Sequence, residues 1–139
     1  MKVEVLNFPV LNIDYSREWS YCSTNPVSTI IEGIEIPDCE IYCGEVYLGY
    51  SIKNKVTIRK GYAFDGMTSF PDTTKNIACA MWHDFFYQTA LISRLNADKI
   101  LRMMMEQNGA KGSRAVYLGV RLFGWSHYGK QKKIRIVKL

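Results

Sequence analysis

The sequence predicts an α+β fold: an N-terminal antiparallel sheet, then a three-helix segment, then a C-terminal strand. Three observations carry this. Short runs of alternating apolar residues, broken by turn residues, fill about the first sixty positions. A helical spacing takes over near residue 73, and the last ten residues return to alternation. Strands followed by a run of helices is the pattern of a segregated α+β domain.

The strand region, 1–60, rests on Val3 and Val5, on Ile34 and Ile36 before Pro37, on Tyr47 after Glu45, and on Val56 and Ile58 flanking Thr57. Gly33, Gly44, Gly49 and the Asn54 region punctuate it as turns. Residues 61–72 hold too many breakers for a regular element and read as a structured loop. A first helix is expected over 73–91, capped by Asp72 or Thr73, with Ile77, Met81, Trp82, Phe85 and Phe86 on its apolar face. A second helix starts at a Ser93 or Asn96 cap, carries the stripe Ala97, Leu101, Met104 and Met105, and ends at Asn108-Gly109. The short connection implies an antiparallel hairpin. A third helix begins near Ser113 with Val116, Val120 and Phe123 on one side; Tyr117 and Leu118 broaden its apolar surface and predict a mostly buried element, closed by Gly124. In the tail, 130–139, Ile134 and Ile136 alternate with Lys133 and Arg135 as a basic last strand.

A chain of 139 residues, 47% apolar, with three Trp, nine Tyr and six Phe, buries a core of its own and is read as one domain, 1–139. No apolar run reaches the roughly 18 residues of a membrane span, and the N-terminus lacks a signal-peptide core, so synthesis in the cytoplasm without export is expected. Cys22, Cys39, Cys43 and Cys79 fit no zinc spacing and read as reduced thiols. The net charge of +5 is concentrated in Lys130, Lys132, Lys133, Arg135 and Lys138. Such a tail suits phosphate, an anionic membrane surface, or an edge strand protected from aggregation. Nucleic acid is not expected as the main ligand, because the charge is not spread over a groove-facing element or interleaved with stacking aromatics.

The chemistry-bearing segment is Cys79 to Tyr87. Cys79, His83 and Tyr87 are spaced by four on one helix face, and Asp84 lies about 100° round from His83. Asp98, three residues before Leu101, lies forward along the second helix about as far as His83 lies back along the first. A hairpin then brings His83 and Asp98 together, with Tyr87 close by. A carboxylate paired with an imidazole fixes its tautomer and stabilises its charged form, as a general base requires. The same residues also serve as a structural network, or as a start-of-helix charge. Asp65, between Phe64 and Gly66, and Asp84 are candidate ligands of a divalent cation, calcium ahead of zinc; His83, Asp84, Asp98 and His127 are an alternative zinc set. Asp65 equally suits an Asp-Gly turn.

Four motifs resemble a family of small phage and prophage proteins, domain of unknown function 1353: the loop 61–71, His83-Asp84-Phe85-Phe86-Tyr87, Arg94-Leu95-Asn96-Ala97-Asp98, and the segment 114–124. The resemblance covers about the second half of the chain and departs by one residue at 67–70. It implies a phage-encoded protein made in the host cytoplasm, with the virion as a further location. More locally, Cys79-x-x-x-His83-Asp84-Phe85-x-Tyr87 resembles the active-site helix of phospholipase A2 enzymes, without their glycine-dense calcium loop and disulfides. That resemblance implies His83 as base, Asp84 as calcium ligand, and Tyr87 with Asp98 as the supporting pair. Three functions are expected in competition: a metal-assisted hydrolase of a phospholipid or another cell-envelope ester, a virion or tail-associated protein contacting other virion proteins, and a small protein binding a host factor.

Overall fold

A computed structural model describes residues 1–14, 16, 21–65 and 74–139. The chain forms two compact units, one of Met1–Asp65 with Lys133–Leu139 and one of Gly66–Lys132. The N-terminal antiparallel sheet, the three helices and the C-terminal strand are all present, so the fold is α+β.

The first unit carries β1 (Lys2–Val5), β2 (Leu11–Ile13), β3 (Tyr21–Ser23), β4 (Val27–Glu32), β5 (Cys39–Cys43), β6 (Val46–Ile52), β7 (Lys55–Ile58), β8 (Ala63–Phe64) and β9 (Ile134–Lys138). A six-stranded sheet runs β1-β4-β7-β6-β5-β9, and a three-stranded one runs β2-β3-β8. Every pairing between neighbours is antiparallel. In β4, Val27, Thr29 and Ile31 alternate inward; Thr29 keeps its buried hydroxyl satisfied by donating to the Glu4 carbonyl at 2.8 Å. The basic tail returns to the sheet as expected, laying Ile136 opposite Ile41 at the edge. Lysines there oppose further strand addition.

Three local expectations are corrected. Ile34 and Ile36 form no strand: β4 ends at Glu32, Gly33 turns with φ of 93°, and the Asn54 side-chain amide donates to the Ile34 carbonyl at 2.7 Å. Gly49 is not a turn but lies inside β6, where a Cβ would collide with the Thr57 carbonyl oxygen of β7. Next to it the β5–β6 register slips, leaving Leu48 as a bulge between the pairs Ile41–Gly49 and Tyr42–Tyr47. Part of the loop 61–72 is strand, since Ala63-Phe64 pairs with Tyr21-Cys22; residues 66–72, including the Asp72 cap, lie outside the described residues, as does Thr73. The Asn54 turn is present as Lys53-Asn54 with φ of 48° and 61° between the paired Ile52 and Lys55, a two-residue hairpin of the I′ kind.

The second unit carries α1 (Thr74–Thr89), α2 (Arg94–Gln107), α3 (Ser113–Phe123) and a 3₁₀ turn, Gly124–Ser126. α1 stops two residues before the expected end because Ala90 takes φ of 50°. Its apolar face is buried as expected, and so are Ala78, Cys79, Ala80 and Tyr87, so α1 is enclosed on nearly every side. Ser93 caps α2 by accepting from the Asn96 N–H at 3.2 Å. Asn108 at the end of α2 donates to the Cys79 Sγ early in α1, while Asp98 early in α2 meets His83 and Tyr87 later in α1, so the pair is an antiparallel hairpin. The third helix departs from expectation. Only Val116 is buried within it, and Leu118, Leu122 and Phe123 are exposed.

Candidate functional site

Asp98 is fully buried in the second turn of α2, and four side chains from three helices gather on it. From α1, His83 Nε2 lies 2.8 Å from Asp98 Oδ1 and the Tyr87 hydroxyl donates to the same oxygen at 2.6 Å. From α3, Arg121 Nη1 donates to Oδ2 at 2.8 Å. Within α2, Arg94 sits one turn before Asp98 with Nη1 3.8 Å from Oδ2, and its guanidinium donates to the Val120 carbonyl at 2.9 Å and the Arg121 carbonyl at 3.1 Å. Arg94 thereby joins the Gly124 N–H on the Val120 carbonyl and caps the Arg121 carbonyl at the end of α3, while adding positive charge beside Asp98.

The sequence places these groups by elementary geometry. His83 and Tyr87 are one turn apart on α1, so both reach one carboxylate, and their rings lie 4.1 Å apart between centroids, tilted by 40°. The Tyr87 hydroxyl needs room, which Gly124 supplies: a Cβ at Gly124 would overlap that hydroxyl. The Gly129 N–H donates to the Tyr87 carbonyl at 2.9 Å, and the Tyr128 ring meets the Tyr87 ring edge-on. The segment after α3 therefore closes around the site.

Burial alone would raise the Asp98 pKa, but hydrogen bonds from His83, Tyr87 and Arg121 outweigh it, and the carboxyl is held below the ordinary range. Burial and the bond to this carboxylate push the Tyr87 phenol up, so it stays a donor. An ionised Asp98 offers no hydrogen, so Nε2 of His83 carries the proton between them. The lone pair of neutral His83 is then on Nδ1. The imidazole side chain is 10% exposed. Cys79, one turn before His83, is buried, accepts from the Asn108 amide at 3.5 Å, and has its thiol pushed up to about 11 by burial, against the smaller lowering effect of that amide. A protonated thiol is no nucleophile. None of the four cysteines is in a disulfide.

The residues read as catalytic, His83, Asp98 and Tyr87, are brought together. The residues read as metal ligands are not shown as a group: Asp84 is half-buried on α1, Asp65 is exposed at the end of β8 in the other unit, and His127 is exposed after the 3₁₀ turn. Among the described residues no three His, Cys, Asp or Glu side chains cluster as a metal ion would need. The described donors therefore do not by themselves fit a calcium or zinc site. Sequence reasoning missed Arg94, Arg121 and Gly124 as parts of the site. The signal was available, since Arg94 stands four residues before Asp98 and the other two lie in the segment 114–124.

The sequence profile of the family described as "Protein of unknown function (DUF1353)" matches residues 45–120, and the chain belongs to this family. The match contains every residue whose side chain meets Asp98 except Arg121, which follows it directly. No curated protein matches the chain, and no solved structure does.

Proposed function

We propose that this member of the domain of unknown function 1353 family is an ester hydrolase in which His83 is the general base. One observation supports the reading above others: the 2.8 Å contact of His83 Nε2 with a buried, ionised Asp98 that Tyr87 and Arg121 hold in place. Water attacks the ester carbonyl while Nδ1 takes its proton, and the imidazolium returns a proton to the departing alkoxide. Asp98 acts as a positioning residue, fixing the tautomer and stabilising the imidazolium, and Tyr87 fixes Asp98. Phospholipids and other cell-envelope esters are the substrate class, by the local resemblance of the helix to phospholipase A2 enzymes. A divalent cation, calcium before zinc, enters as an assay variable, and no step is routed through it.

The test is hydrolysis of phospholipid and of simple aryl esters by purified protein, with calcium, with zinc and with chelator, beside His83→Ala and Asp98→Asn variants shown to be folded. Turnover is expected to fall by about 10²–10⁴-fold on loss of the base. Equal rates in parent and His83→Ala, or none in the folded parent under every condition, would sink the reading.

A specific observation favours a second reading. Asp98, on α2, bonds to α1 and α3, and Arg94 caps the end of α3 beside it, which is what a structural pin requires. On this reading the protein is a phage virion or tail component, and copurification with particles is the measurement that selects it.

A further inference from the structure

α3 and the 3₁₀ turn after it present an unusual surface. Leu118 is 58% exposed, Leu122 65%, Phe123 73% and Trp125 68%. Leu118 and Leu122 are one turn apart on one side of the helix, with Arg114 a turn before Leu118 on that side. Scattered apolar residues are normal on a protein surface. Four large ones within eight positions, two of them aromatic, mark an interaction face.

Charge decides what covers it. Residues 107–132 contain Lys111, Arg114, Arg121, Lys130 and Lys132 and no Asp or Glu. Arg121 is engaged by Asp98, whereas Lys111, Arg114, Lys130 and Lys132 are exposed. A second copy of the chain would bring the same positive face against itself. An anionic bilayer supplies what the face lacks, a negative surface over an apolar interior. Phe, Trp and Leu beside lysine and arginine are the composition of a helix that lies in a membrane interface.

We propose that α3 with the turn Gly124–Ser126 docks on an anionic phospholipid bilayer, with Leu118, Leu122, Phe123 and Trp125 entering the headgroup boundary and Lys111 and Arg114 meeting lipid phosphates. The inference needs no turnover and stands apart from the hydrolase reading. No described helix is long and apolar enough to cross a membrane, and an 11-residue helix lying flat need not be.

The experiment is cosedimentation of the full chain with vesicles of phosphatidylcholine alone and of phosphatidylcholine mixed with phosphatidylglycerol. Binding to the mixed vesicles is expected, weakening as salt rises. Leu122→Ser combined with Phe123→Ser should weaken it by about tenfold or more, as should Lys111→Glu with Arg114→Glu. Tryptophan emission should shift to the blue on binding, and Trp125→Phe should remove the shift. All these side chains are exposed, so the variants fold. The proposal is overturned by a folded parent that sediments with neither vesicle, by equal binding to phosphatidylcholine alone, or by binding that survives the Leu122-Phe123 substitutions. Light scattering that shows a dimer dissolved by those substitutions also overturns it, in favour of a second copy.

Discussion

Asp98 is the residue on which the polar bonds of the helical unit converge, and the cost of its removal follows from what it would leave behind. Asp98→Ala strands the His83 Nε2–H, the Tyr87 hydroxyl and the Arg121 guanidinium, and takes the counter-charge from Arg94, which keeps its bonds to the Val120 and Arg121 carbonyls. Because the Arg121 and Arg94 side chains are 30% and 21% exposed, water relieves part of their loss, and the expected destabilisation is about 3 kcal/mol, the low end for breaking a buried ion pair. His83→Ala orphans one acceptor site and should cost roughly 1–3 kcal/mol. Urea denaturation followed by circular dichroism measures both; an unchanged midpoint in the two variants would mean that the pair is not formed. The His83, Tyr87 and Asp98 triad was legible in the sequence because three spacings of a regular hairpin determine it. Arg121 was not legible by that route, because the angle of a third helix against the first two is set by packing and leaves no period in the sequence.

At the scale of elements, what the sequence hid was pairing rather than composition. β4 was missed because Ser28 and Thr29 blur the contrast between its faces, although Thr29 is buried and satisfied. Ile34 and Ile36 alternate without a partner strand, and alternation alone cannot tell a strand from a bend. Gly49 and Gly124 look like turn residues in sequence, yet each exists to let something approach: the Thr57 carbonyl in the sheet, the Tyr87 hydroxyl at the site. This gives a comparison. Gly124→Ala should cost roughly 1–3 kcal/mol, since the end of a Tyr side chain can yield by giving up its bond to Asp98. Gly49→Ala should cost more, since the obstacle is backbone held in a ladder. Melting temperatures of the two variants, with the Tyr87→Phe, Gly124→Ala double variant as control, check the order. If Gly124→Ala still costs as much when the Tyr hydroxyl is absent, the overlap with that hydroxyl is not the cause. The third helix shows the same limit from the other side: apolar residues all round it predicted burial, whereas Leu118, Leu122 and Phe123 face out.

For the whole molecule, the directions in which buried groups are shifted set the pH range of greatest stability. Asp98 is held below the ordinary carboxyl range, so its contribution is complete above the unfolded value near pH 4 and is lost as pH falls through the folded value. The alkaline side runs the other way. Cys79 is raised from 9.0 to about 11, so the unfolded chain releases the thiol proton first. Stability is full below about pH 9 and declines as pH rises toward 11. Tyr87 is raised above its value of 10.0 as well and adds to the loss beyond that pH. Stability should therefore fall at both the acid and the alkaline end. Urea midpoints across pH test this, and two variants divide the cause: Asp98→Asn should flatten the acid limb, and Cys79→Ala should reduce the first part of the alkaline limb, which it shares with Cys39, a second thiol raised by burial. An alkaline limb identical in Cys79→Ala and the parent would show that the buried thiol is not what the fold holds neutral.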